Sequence, residues 1–195
     1  MYVYAAFIDG ASHTATPKPK EEPNQGRGGS RNSGVDPANP GNVRAGITPD
    51  IDVQDKLDYK DKSITDLRKV GFGAVHAVPR GRMLPGSGAV VLLEGTSNDD
   101  LVMKANTSAF AQLRGAGGVM PSTVIAVISK FRDLFRQAEQ AKAHIAKYKA
   151  SPSGLVRPAY DDATMAMIPV VSKTKPVYFM AGDHLSISRV LQLQK

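Results

Sequence analysis

A carboxylate and an imidazole lie close together near the start of the chain, directly after a segment that is typical of a β-strand. Tyr2 to Ile8 is rich in aromatic, β-branched and small apolar residues, and Asp9 and His13 follow it. In α/β folds, functional sites form at the carboxyl ends of the strands. Carboxylate oxygens and imidazole nitrogens bind divalent metals. Asp9 and His13 are therefore candidate metal ligands, although a lone histidine is more often an ordinary polar residue.

The segment from Ala5 to His13, with the sequence Ala-Ala-Phe-Ile-Asp-Gly-Ala-Ser-His, resembles a signature of the amidohydrolase superfamily. That signature is a strand that ends Gly-Phe-Ile-Asp-x-His-x-His, with both histidines on one side of the strand and pointing at a metal. His13 corresponds to the second histidine, and Ala11 stands at the position of the first. Because alanine has no donor atom, the resemblance implies a site that has lost one ligand.

Three later segments resemble the same family in the same order. Residues 67–81 resemble the helix, turn and strand that lead to the second barrel strand, and residues 84–93 resemble a glycine-rich segment after it. Residues 175–187 resemble the Pro-Val-x-Val-His-Ala segment that supplies a later metal ligand. Met180 stands at that ligand position, and a thioether is a poor ligand for zinc or iron.

The resemblance is to imidazolonepropionase-like, metal-dependent hydrolases, and it implies a partial and degenerate copy of them. The expected fold is α/β, with partial TIM-barrel-like strand-helix units, a largely parallel sheet and a long insertion loop. The implied activity is hydrolysis of an amide or cyclic amide C–N bond, with zinc or another divalent metal as cofactor. Ala11 and Met180 argue against activity of this chain alone. The alternative is a catalytically silent structural or interaction domain without a metal, which packs on an active partner.

The length of the chain predicts that it forms only part of a barrel. A complete barrel of eight strand-helix units takes about 250 residues, whereas this chain has 195. We expect residues 1–195 to form one amidohydrolase-like partial-barrel domain. The expected partner is the remainder of the same protein or a second chain that completes the barrel, and an active assembly would take a small-molecule substrate.

The segment from residue 14 to residue 50 has the composition of a loop. It contains most of the glycines and prolines of the first fifty residues and few large apolar side chains. Such a composition buries too little surface to offset the entropy of ordering the chain. The sequence therefore predicts a mobile loop or insertion here, which either covers the mouth of the barrel or wraps the surface.

The basic character of the chain favours a solvated surface over a nucleic-acid site. The net charge is +7 and the isoelectric point is about 9.6, but the basic residues are scattered and aromatic residues do not alternate with them. The chain has no cysteine, and no stretch approaches the roughly 18 apolar residues of a membrane span. These features predict a soluble protein and leave cytoplasm and periplasm equally open.

Periodicity predicts the remaining elements. A helix with a Ser63 cap should end at Gly71, and Phe72 to Val78 should be a buried strand in which His76 is a hydrogen-bonded core residue. Residues 81–88 lack the spacing of a phosphate-binding loop, so the sequence predicts a turn between two strands there. Arg80 and Arg82 beside this turn are either surface residues or residues that orient a carboxylate. The other predicted strands lie at 89–93, 101–104 and 176–181, and the other predicted helices lie at 120–149, 161–168 and 185–195. Pro121 should lie in the first turn of the helix at 120–149, and Asp183 should cap the helix at 185–195.

Overall fold

A computed structural model describes residues 4–18 and 36–193 as a five-stranded sheet with helices packed on it. The strands are β1 (Phe7–Ser12), β2 (Phe72–Ala77), β3 (Gly86–Leu92), β4 (Val102–Gln112) and β5 (Val177–Met180). The helices are α1 (Asn42–Ala45), α2 (Lys62–Lys69), α3 (Asn98–Leu101), α4 (Val124–Ala150), α5 (Asp162–Val171) and α6 (His184–Leu193), with one 3₁₀ turn at Val53–Lys56. The prediction of an α/β fold is confirmed.

The sheet is mixed, so the prediction of a largely parallel sheet is only partly right. The strand order is β1-β2-β3-β4-β5. Strand β1 is parallel to β2 and β4 is parallel to β5, but β3 is antiparallel to both of its neighbours. The reason is the length of the connections, because a parallel crossover needs about a dozen residues or more. Residues 78–85 and 93–101 are too few for one and can only reverse the chain.

The sheet curls into a half-barrel. The rings of His76 on β2 and Tyr178 on β5 have centroids 4.8 Å apart, although two strands lie between them. Three strand spacings in a flat sheet would span about 14 Å, so the sheet must bend toward the face that carries these rings. We call this face, which carries His76, Gly88, Ser108, Phe110 and Tyr178, the inner face.

The outer face of the sheet carries two hydrophobic clusters. The first packs under α2 and the 3₁₀ turn and includes Val75, Ala77, Ala89 and Val91, together with Ala15, Val53, Leu57, Ile64, Leu93 and Leu101. The second packs under α4 and α5 and consists of Ala45, Ile47, Met83, Leu84, Ala111, Val127, Phe131, Leu134, Ala138 and Met167. Apolar side chains that alternate along the strands are thus buried by the helices.

The predicted helices are present, but the caps of α2 and α4 are not the residues that the sequence predicted. The carboxylate of Asp61, not the Ser63 hydroxyl, caps α2 by accepting from the Ser63 N–H at 2.8 Å. The Ser63 hydroxyl accepts instead from the Ala15 N–H at 3.1 Å. Helix α4 is capped by Thr123, so Pro121 lies before the helix and not in its first turn. The predicted Asp183 cap of α6 is confirmed by a 2.7 Å bond from the Ser186 N–H.

Helix α5 continues through Pro169, where the sequence predicted its end. Proline removes one N–H donor from the helix, but the helix goes on to Val171, and the Ser172 N–H donates to the Ile168 carbonyl at 2.9 Å. Burial of Met167 and packing of the neighbouring valines against the second cluster stabilise this last turn. Packing therefore outweighs the lost hydrogen bond.

The described parts of the 14–50 segment are anchored in the fold. Ala15 is buried in the first cluster and Ile47 in the second. Residues 19–35 lie outside the described residues, so the mobile loop stays a prediction there. Among the residues that the structure describes, no helix has the length and apolar composition to cross a membrane.

Candidate functional site

His13 lies at the carboxyl end of β1, where the sequence predicted a functional residue. It is the first residue after the strand, and its Nδ1 atom is 2.9 Å from the Val78 carbonyl oxygen at the end of β2. Because a carbonyl oxygen can only accept, Nδ1 carries the proton and donates. The half-buried ring also packs edge-on against Phe110, with centroids 5.9 Å apart. These contacts fix the orientation of the ring, and in the neutral imidazole they select the tautomer whose Nε2 atom has a lone pair.

Asp9 lies inside β1 and not beyond its end, because the strand begins five residues later than predicted and runs to Ser12. Pairing with β2 sets these limits, since Phe7 lies opposite Phe72 and Ser12 opposite Ala77. Residues 2 and 3 of the predicted strand lie outside the described residues. One oxygen of the Asp9 carboxylate accepts from the Ala11 N–H at 3.2 Å.

The described residues do not complete a metal site. Ala11 contributes no donor atom, and Met180 ends β5 and is 58% exposed. Within residues 4–18 and 36–193, no three His, Asp or Glu side chains lie close enough together to hold a metal. A zinc site needs at least three protein ligands. The assignment of Asp9 and His13 as metal ligands therefore stays a prediction.

Arg80 holds the turn that follows His13. Its guanidinium donates to the Thr16 carbonyl from Nε at 3.2 Å and to the His13 carbonyl from Nη2 at 3.4 Å. The Thr16 hydroxyl donates to the same His13 carbonyl at 2.5 Å. Arg80 is thus a structural clamp on this turn, whereas Arg82 is exposed.

We expect the Arg80→Ala variant to loosen this turn and to lower the free energy of unfolding by about 1–2 kcal/mol, because charge-assisted hydrogen bonds are lost. Chemical denaturation measures the loss, and the His13 imidazole NMR signals should shift. The matched control is Arg82→Ala, which should stay within about 0.5 kcal/mol of the parent. Equal effects of the two substitutions would contradict the clamp.

His76 is the centre of a polar network on the inner face. Its Nδ1 atom lies 3.2 Å from the Gly10 carbonyl, and its Nε2 atom lies 3.0 Å from the hydroxyls of both Thr107 and Ser108. The ring is buried, and burial lowers the pKa of His76. A side chain at Gly88 would meet Nε2 at 2.7 Å, so the imidazole fits only beside a glycine. The prediction that His76 is a hydrogen-bonded core residue is confirmed.

A second polar cluster surrounds Lys175, which no feature of the sequence predicted. The buried ammonium group donates to the Ser87 hydroxyl at 2.6 Å and to the Asn106 side-chain oxygen. Burial lowers the pKa of Lys175, and the carboxylate of Asp52 opposes this effect. Burial in turn raises the pKa of Asp52. No spacing or motif marks Lys175 among the 25 basic residues of the chain.

Fold and site together define an α/β half-barrel whose first strand ends in a fixed histidine. The comparison with solved structures agrees, because the chain is similar to the crystal structure of an amidohydrolase from Thermotoga maritima MSB8, with a TM-score of 0.70 and 20% sequence identity. The match covers 97% of this chain and 48% of that chain, so the chain spans about half the length of that protein. At this identity the similarity establishes an amidohydrolase-like fold. No family model matches the chain, and no curated protein does.

Proposed function

We propose that this chain forms one half of an amidohydrolase-like barrel in a metal-dependent hydrolase that acts on amide or cyclic amide C–N bonds, and that its own residues leave the catalytic site incomplete. The fold similarity and its coverage of half of a longer amidohydrolase support this function. The observation that carries it is the position of His13 at the carboxyl end of β1.

The hydrogen bond of His13 favours a role as a ligand. Metal-binding histidines usually donate their second ring nitrogen to a carbonyl or carboxylate, which fixes the ring and its tautomer. The 2.9 Å bond from Nδ1 to the Val78 carbonyl is of this kind. Nε2 is then the nitrogen that would bind a cation, and Arg80 positions the turn that carries it.

The remaining ligands would come from the remainder of the protein or from a second chain. Apolar side chains on the inner side of the sheet, Ile8, Tyr178 and Met180, are exposed and would be covered by such a partner. A zinc ion or another divalent cation bound there would polarise the substrate carbonyl and lower the pKa of a bound water. This chain would contribute His13, with Asp9 as a second candidate.

The second candidate function is a catalytically silent domain that packs on an active partner. It is favoured by Ala11 and Met180, which stand at the two ligand positions implied by the resemblance. In that case His13 is held by Val78 and Phe110 for structural reasons alone.

Zinc titration of the purified chain distinguishes these functions. We expect weak binding, with a dissociation constant of about 10 µM or higher, because a site with two protein ligands lacks most of the binding energy of a complete one. His13→Ala should abolish this binding, and the matched control His144→Ala, on α4, should leave it unchanged.

Tight stoichiometric zinc in the chain alone would contradict the incomplete site. Binding that is absent, or that does not change in His13→Ala, would favour the silent domain.

A further inference from the structure

We propose that His76 is an acid-sensitive hub of the half-barrel, and that its protonation releases β1, the strand that carries Asp9 and leads into His13. The proposal concerns the conformation of the sheet and does not depend on the proposed hydrolytic function. It rests on the contacts of one imidazole with all the other strands.

His76 belongs to β2 and touches the other four strands of the sheet. It reaches β1 through the Gly10 carbonyl and β4 through the hydroxyls of Thr107 and Ser108. It lies against Gly88 on β3, and its ring packs against the ring of Tyr178 on β5 at an interplanar angle of 50°. The curl of the inner face therefore depends on this ring.

The hydrogen bonds of His76 define one neutral tautomer. Nδ1 donates to the Gly10 carbonyl, so Nε2 is the acceptor in the neutral ring. The Thr107 hydroxyl donates to the Gly88 carbonyl at 3.0 Å. The hydrogen that Nε2 accepts is therefore that of Ser108, whose side chain is fully buried.

Protonation would turn Nε2 into a donor and leave the Ser108 hydroxyl hydrogen without its acceptor. A buried hydroxyl that loses its hydrogen-bond partner destabilises the folded state, and a buried charge without a counter-ion destabilises it more. The groups that face the ring are the backbone at Gly10 and Gly88, two hydroxyls on β4 and the phenol of Tyr178 on β5. Within the described part of the chain, no carboxylate pairs with His76.

Strand β1 is the element that should give way first. It is an edge strand of the sheet, and its pairing with β2 is irregular at two places, between Phe7 and Ile8 and between Asp9 and Ser12. Phe7 and Ile8 are exposed and add little packing. The bond from His76 to Gly10 lies inside the second irregular stretch, where ladder hydrogen bonds are interrupted.

The sign of the pH dependence follows from burial. The pKa of His76 is lowered from 6.5 chiefly by desolvation, so the folded state binds this proton less readily than the unfolded state. The stabilising contribution of the neutral ring is present above pH 6.5 and is lost as the pH falls below 6.5 and through the lowered pKa. The release of β1 therefore occurs on the acid side of neutrality.

Amide hydrogen exchange of the full chain tests the proposal, with each rate normalised to that of an unstructured amide at the same pH. Between pH 7.5 and pH 5, we expect protection of β1 amides to fall about tenfold in the wild type, because the buried Ser108 hydroxyl loses its acceptor. The His76→Gln variant keeps a donor and an acceptor without titrating, so its β1 protection should be independent of pH. The matched control His184→Gln, an exposed change on α6, should behave like the wild type.

Constant β1 protection in the wild type would overturn the proposal, and so would an equal fall in His76→Gln. If His76→Gln does not fold, NMR titration of the wild type decides the question. The β1 amide shifts must then follow the midpoint of the His76 imidazole, and shifts that follow another midpoint, or no shifts, reject the hub.

Discussion

Replacement of Phe131 by alanine is expected to lower the free energy of unfolding by about 3–5 kcal/mol, because a large aromatic ring is removed from a fully packed core. Phe131 lies on α4, is 1% exposed, and is at the centre of the second cluster. Its ring packs against Phe179 of β5, with centroids 5.3 Å apart, and against Phe135 at 6.1 Å. Its removal leaves a cavity between helix and sheet that neighbouring side chains fill only partly.

Chemical denaturation followed by circular dichroism measures this loss. The matched control is Ile125→Ala on the same helix, because Ile125 is 80% exposed and its truncation should cost about 0.5 kcal/mol or less. If Phe131→Ala and Ile125→Ala proved equally mild, α4 would not be packed on β5 as described.

The second large effect is expected for Lys175→Ala, which should destabilise the fold by about 2–4 kcal/mol. The ammonium group donates hydrogen bonds to Ser87 on β3 and Asn106 on β4, and its charge favours the ionised form of Asp52. Alanine leaves these polar groups without their partner in a buried place. The loss should exceed that of Lys142→Ala, an exposed change on α4 that serves as the matched control.

The Lys175→Met variant separates charge from packing, because it keeps most of the side-chain volume. Burial already raises the pKa of Asp52 above 3.8, and loss of the ammonium group should raise it further. A raised carboxyl pKa stabilises the fold below pH 3.8 and ceases to do so as the pH rises through the folded-state pKa. The deficit of Lys175→Met relative to wild type should therefore grow with pH in urea denaturation, and a deficit independent of pH would contradict the link to Asp52.

Apolar periodicity located most of the elements. The stripe on α4 predicted the buried side chains of Phe131 and Leu134, and alternation on β2 put His76 in the core, where it is. These predictions succeed because burial of an apolar face imposes the period of the element on the sequence.

Apolar periodicity predicted only the beginning of strand β4. The sequence predicted a strand over residues 101–104, whereas β4 runs from Val102 to Gln112. Asn106, Thr107 and Ser108 interrupt the apolar pattern and read as a loop. They are polar because they serve as hydrogen-bond partners of Lys175 and His76, which come from distant parts of the chain. Local pattern cannot reveal such partners.

The candidate site was predicted in position but not in composition. The residue types after the first strand located His13 at the carboxyl end of β1. The contacts that fix its ring, with Val78 and Phe110, and the clamp by Arg80 come from the segment between β2 and β3 and from β4. They depend on the curl and register of the sheet, which one segment of sequence does not determine.

Because only β3 runs against the others, the chain leaves β1, β2, β4 and β5 at the same rim of the half-barrel. The segments after β4 and β5, residues 113–123 and 181–183, therefore emerge at the rim that carries His13, and none of their residues is a buried member of either hydrophobic cluster. Rim segments of this kind can be lengthened or exchanged without refolding the sheet. Evolution could thus alter the chemistry of this rim while the scaffold stays the same.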